Sequence, residues 1–183
     1  MNDEKVDFWK ISLRKLNSEE IEKISKYAIS YVFEKKNKND PKVLISEIKK
    51  EEEIKWLLRV VQSYNGKKEN AIQHIIDVEG KAVGSVVVTR EEDDNKSHSG
   101  VFELHLQKDM VGRGVEAVIF DLIKMQIRKK WDGKIKLLKA FCPIDDDMPY
   151  RICEFTKIGA MPIAILSSDG RYSEEAVFYK RLD

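Results

Sequence analysis

At 183 residues the chain has the length of one domain, enough to bury a sizeable core without disulfides or metals. Hydrophobic residues make up 42% and charged residues 36%, which excludes wholesale disorder and describes a globular, very soluble protein. With 33 Lys and Arg against 32 Asp and Glu the net charge is +1, too little for a global field that would hold a nucleic acid or an anionic membrane.

The opening MNDEKVDFWK is charged rather than basic and then apolar, and no run approaches the ~20 apolar residues of a membrane span, so cytoplasmic residence is expected. Residues 6–13 (VDFWKISL) have the character of a strand. Asn17, with Glu20 three positions later, resembles a capping box, and Ile21, Ile24, Tyr27, Ala28, Tyr31 and Val32 recur at helical spacing, predicting a helix over about 18–34. Asp40-Pro41 suits the start of a second helical region running to about Tyr64 and ending at Asn65-Gly66. From Ala71 the pattern turns to β-branched runs, AIQHIIDV and AVGSVVVT, flanking Glu79-Gly80-Lys81, where glycine supplies the positive φ of a tight hairpin. EEDDNKSHSG is a solvated loop. GVFELHLQ is a third strand, alternating Phe102, Leu104 and Leu106 with Glu103, His105 and Gln107.

KDMVGRG then opens a long helix with Val115, Val118, Ile119, Leu122 and Ile123 on one stripe, ending near Trp131-Asp132-Gly133. IKLLKAFC has strand character, DDDMPYRICEFTKIG is expected as a short helix closed by Gly159, and AMPIAILS and EEAVFYKRL are two more strands. The order is β-α-α-β-β-β-α-β-α-β-β, an α/β (α+β) sheet covered by helices, with residues 1–183 as a single domain. Cys142 and Cys153 have neither disulfide-framework nor CxxC spacing, and three scattered histidines argue against a metal site.

The most informative local feature is Gly112-Arg113-Gly114 at the start of that long helix. Glycines let a ligand approach the backbone, and the free N–H groups of a helix start make an anion site suited to a phosphate-bearing cofactor. The same sequence also fits a simple glycine-assisted turn, and there is neither a GxxxxGK[ST] nor a GxGxxG motif.

Over residues 9–182 the chain resembles the GNAT superfamily of acyl-CoA-dependent N-acyltransferases. WKISLRKLNSEEI is similar to the family's opening strand and helix, LHLQKDMVGRGVEAVIFDLI to its coenzyme A motif, CEFTKIGA to its later helix and closing turn, and AVFYKRL to its last strand. The resemblance implies a mixed, mostly antiparallel sheet flanked by helices, with acetyl-CoA as co-substrate and no metal. It implies that Leu106 lies where the strand splays and its backbone meets the pantetheine arm, and that the turn of Gly112, Arg113, Gly114 and Val115 holds the pyrophosphate. Val111 stands where relatives carry Gln or Arg, and Glu116 stands where they carry a small residue. A carboxylate in the first helical turn stabilises the helix but competes with a bound pyrophosphate.

Amine acetylation needs a route for the amine's proton, a donor to the developing oxyanion and an acid for the leaving thiolate. Glu103 and His105 share one face of their strand and suit the first task; the same alternation also describes a merely solvated face. Phe155 stands where many relatives place the acid, a tyrosine, so Tyr150 and Cys153 are the substitutes, with a packing role as the alternative for each. His74 on an apolar face reads as a core residue and His98 as a solvated one, while Trp9, Trp56 and Trp131 read as core or capping aromatics. Asp145, Asp146 and Asp147 either favour the following helix start or draw a cationic amine. The expected function is acetyl transfer from acetyl-CoA to the primary amine of a small molecule or peptide, by direct attack in a ternary complex. The alternative is a module that keeps the fold without the chemistry, and a third possibility is transfer of a longer acyl chain. A homodimer through the sheet edge is common for such a fold.

Overall fold

The computed structural model describes residues 10–15, 69–166 and 172–182. Strands β1 (Ile11–Arg14), β2 (Ala71–Val78), β3 (Lys81–Arg90) and β4 (Ser99–Leu106) pair antiparallel in sequence order, as their β-branched content favours on a pleated, half-buried surface. Glu79 and Gly80 turn the β2–β3 hairpin with φ of 54° and 80°, the pair of positive angles that matches strand twist. Then come helix α1 (Val115–Trp131), β5 (Leu137–Pro143), helix α2 (Met148–Ile152), β6 (Thr156–Leu166) and β7 (Tyr172–Arg181). The seven-stranded sheet has the order β1-β2-β3-β4-β5-β7-β6, and β4–β5 is the one parallel pairing among the described strands.

Helix α1 buries Val115, Ile119, Ile123 and Ile127 at four-residue spacing, sharing one core with Ile76, Val86, Val88, Phe102 and Leu138 of the sheet. Each such side chain contributes about 1.5–3 kcal/mol when fully buried. The helix ends where Asp132 takes a left-handed conformation and its N–H returns to the Arg128 carbonyl. Trp131 is buried in the same core. The expected mixed, mostly antiparallel sheet flanked by helices is the architecture found.

One element differs from its sequence expectation. The helix predicted over 145–159 is confined to Met148–Ile152, and Gly159, expected as its closing residue, lies inside β6 opposite Val177. Glu154 adopts φ 58°, the Phe155 N–H donates to the Tyr150 carbonyl at 2.9 Å, and the Lys180 ammonium donates to the Cys153 carbonyl at 2.7 Å. The helix-end carbonyls are thus satisfied early and the chain leaves as a strand. Predicted helices over 18–34 and to Tyr64, the first residues of the predicted opening strand, Trp9 and Trp56 lie outside the described residues. No helix among the described residues is long and apolar enough to cross a membrane.

Candidate active site

Strands β4 and β5 pair at Ser99–Leu137, Gly100–Leu138 and Val101–Lys139 and no further. Beyond that, β4 stays paired with β3 as far as Leu106, and β5 stays paired with β7 as far as Pro143. The two halves of the sheet therefore part, and the wedge between them is walled by strand backbone that lacks a neighbouring strand.

Tyr150, on α2, reaches into this wedge. Its hydroxyl accepts the Leu104 N–H at 3.4 Å. Its ring stacks on Phe178, with centroids 5.8 Å apart, and meets Phe102 and Phe155 edge-on. Burial, the largest influence, pushes the phenol well above its ordinary range, so the hydroxyl remains a proton donor at any physiological pH. Phe155 is packed flat against Phe102 at 5.3 Å and belongs to the core.

After β4 the chain makes a 3-10 turn (Lys108–Met110) and enters the two-glycine segment. Gly112 and Gly114 have φ of 84° and 82°, which L side chains rarely adopt. A β-carbon at Gly112 would lie 3.2 Å from the Met148 terminal methyl, so the turn rests against the start of the helix that carries Tyr150. Arg113 is exposed, and Val115, the first residue of α1, is fully buried. Glu116, one residue on, is also fully buried, and its Oε1 accepts the Gly112 N–H at 2.6 Å.

Glu103 and His105 lie on the sheet face opposite Phe102 and Leu104, with 3.9 Å between Glu103 Oε2 and His105 Nε2. The register sets His105 against Ser85, and both His105 Nε2 and Ser85 Oγ are buried without a hydrogen-bond partner among the described residues. Leu106 packs against the core edge opposite Gly84. A β-carbon at Gly84 would lie 2.2 Å from the His105 carbonyl oxygen, so this glycine permits the close approach of β3 to the end of β4. Neither Gly84 nor Ser85 is singled out by the sequence. The signal for Gly84 is a glycine inside a β-branched run.

The two substitutes for the missing acid point differently. Cys153 is buried, its Sγ donates to the Glu116 carbonyl at 3.4 Å, and burial, followed by the nearby Glu116, pushes the thiol up to about 12. The thiol, like the phenol, stays protonated at neutral pH, but its proton is directed at the helix backbone through the Glu116 carbonyl. His74 Nε2 meets the Gln126 side-chain oxygen at 2.6 Å, and His98 is exposed. Asp147 starts α2 and pairs with Arg151 at 2.7 Å and Lys157 at 3.8 Å. No metal-binding group of three or more His, Cys, Asp or Glu occurs among the described residues.

No family model matches the chain, and no curated protein sequence matches it. Solved structures do. The RimL ribosomal L7/L12 alpha-N-protein acetyltransferase superposes with TM-score 0.61 at 13% identity, over 95% of this chain and 94% of that one. The microcin C7 self immunity acetyltransferase MccE, solved with acetyl-CoA and AMP, superposes with TM-score 0.57 at 18% identity, over 94% and 92%. A GNAT-family acetyltransferase from Streptococcus pneumoniae superposes with TM-score 0.54 at 13% identity, over 70% and 76%. At these identities the likeness is one of fold, and the fold of this chain is that of the GNAT acetyltransferases.

Proposed function

We propose that the chain, acting as one domain, is an N-acetyltransferase that passes an acetyl group from acetyl-CoA to the primary amine of a small molecule or peptide, by direct attack in a ternary complex. The observation that carries this reading is the wedge between β4 and β5 lying beside a double-glycine turn that opens a 17-residue helix. Similar structures solved with acetyl-CoA support the choice of cofactor. The residues present suit it: strand edges without a partner match an amide-bearing arm, and the N–H groups of residues 112–115 match a diphosphate. Bound there, acetyl-CoA supplies a thioester carbonyl.

Glu103, or His105 beside it, takes the proton that an ammonium must lose before it attacks. The Leu104 N–H on the wedge wall donates to the Tyr150 hydroxyl and orients it, and that O–H, kept protonated by burial, is the group we assign to protonating a leaving thiolate. Cys153 has no part in this scheme.

Gly114, at φ 82°, cannot be replaced by proline without rebuilding the turn. Gly114→Pro, with its fold verified by circular dichroism, is expected to lose acetylation across an amine panel; unchanged turnover sinks this placement of the cofactor. One observation favours a second reading, a binding module without chemistry: the Glu116 carboxylate already held in the turn. Transfer to any amine eliminates it.

A further inference from the structure

Glu116 places a negative charge where an anionic ligand would be received. It is the second residue of α1, in the first turn, where helix N–H groups lack intrahelical partners and the positive end of the helix dipole lies. The residue is 0% exposed, one carboxylate oxygen accepts the Gly112 N–H at 2.6 Å, and the other is buried with no hydrogen-bond partner among the described residues. No lysine or arginine pairs with it among those residues. A carboxylate removed from water and given one hydrogen bond is under-compensated, so its charge is little screened toward any anion that reaches the same donor.

We propose that Glu116 is a built-in competitor for the diphosphate: its carboxylate holds the Gly112 amide in the unliganded chain and must give it up before a phosphate can take it, which sets a weak affinity for coenzyme A. The inference rests on the reading of this turn as the coenzyme A site. A phosphate and a carboxylate cannot share one N–H, and two like charges that close in a buried turn repel strongly. Removing the charge therefore strengthens binding, where truncating a supporting residue would weaken it.

The test is calorimetric titration of coenzyme A, and separately of inorganic pyrophosphate, into the wild type, Glu116→Gln and Glu116→Ala. Glutamine keeps the shape and the acceptor while deleting the charge; alanine also opens the space. Both variants are expected to bind coenzyme A at least about tenfold more tightly than the wild type, with pyrophosphate following the same order. If alanine unfolds the helix start, seen by circular dichroism, glutamine carries the comparison alone. Equal or weaker binding by the variants overturns the inference and makes Glu116 a strut of the turn, while the site itself stands. Absence of coenzyme A binding in all three proteins overturns the site and the inference together.

Discussion

Tyr150 is fixed by its ring, while the chemistry proposed for it belongs to its hydroxyl, and phenylalanine separates the two. Tyr150→Phe keeps the stacking on Phe178 and Phe102 and loses a bond to the Leu104 amide that is long at 3.4 Å, so stability should fall by less than about 1 kcal/mol. If the hydroxyl protonates the leaving thiolate, kcat falls on the order of 10²-fold with the melting temperature nearly unchanged. Equal kcat assigns Tyr150 to packing alone. His74 gives a prediction in pH. Burial, opposed by the bond to Gln126, lowers its pKa below the unfolded value of 6.5, so the unfolded chain binds the proton more readily. Stability from this group is present above about pH 6.5 and is lost as pH falls through the folded value. Urea midpoints at pH 7.5 and pH 5 should differ more for the wild type than for His74→Gln. The shared face of Glu103 and His105 was legible because strand side chains alternate with period two. The burial of Glu116 was not legible in the sequence: it stands at helical spacing from Phe120, Ile123 and Ile127, but a glutamate at a core position argues from its chemistry against its own spacing.

The helix-to-strand passage at α2 shows where local signals lose to tertiary ones. Acidic residues, a proline and a later glycine compose a short helix closed by Gly159, but its end is set by Lys180, which arrives from β7, and by the left-handed Glu154. Neither is visible in the local sequence. A glutamate at φ 58° is strained where glycine is not, and its ion pair with Lys180 at 3.1 Å is weak, because Glu154 is 86% exposed. Glu154→Gly should therefore raise the denaturant midpoint by an amount equivalent to about 0.5–1 kcal/mol; a lower midpoint would show that the pair matters more than the backbone. The β3–β4 contact responds in the opposite sense. With 2.2 Å from its added β-carbon to the His105 carbonyl oxygen, Gly84→Ala forces the two strands apart at backbone atoms that cannot rotate away. It should cost about 1–3 kcal/mol and reduce turnover as well, since the strand it displaces, β4, carries His105 and Leu106; a variant with full stability and activity contradicts the close approach.

Across the described residues, what the sequence made legible was the order of elements from β2 onward, because hydrophobic period, glycine turns and chain direction are local. The wedge was implied only by the family resemblance, which set the splay at Leu106, and not by the residues themselves, because it is an end to pairing decided by two strands far apart in sequence, β4 tied to β3 and β5 tied to β7. A ligand that bridges the wedge and the glycine turn must hold the two halves of the sheet together, so binding and folding are linked. If acetyl-CoA binds the folded chain alone, stabilisation grows as RT ln(1 + [L]/Kd), about 2.7 kcal/mol at a hundredfold excess over Kd. For a chain of this length each kcal/mol moves the melting temperature by about 2–4 °C. Thermal melts at rising acetyl-CoA should therefore climb with the logarithm of concentration for the wild type and stay flat for Gly114→Pro. Hydrogen exchange locates the effect: the ligand should slow exchange at the amides of Gly112, Arg113 and Gly114 and at Leu104 on the wedge wall. A melting shift with protection confined to another part of the sheet would move the site away from the wedge, and no shift at millimolar acetyl-CoA would leave the fold without this cofactor.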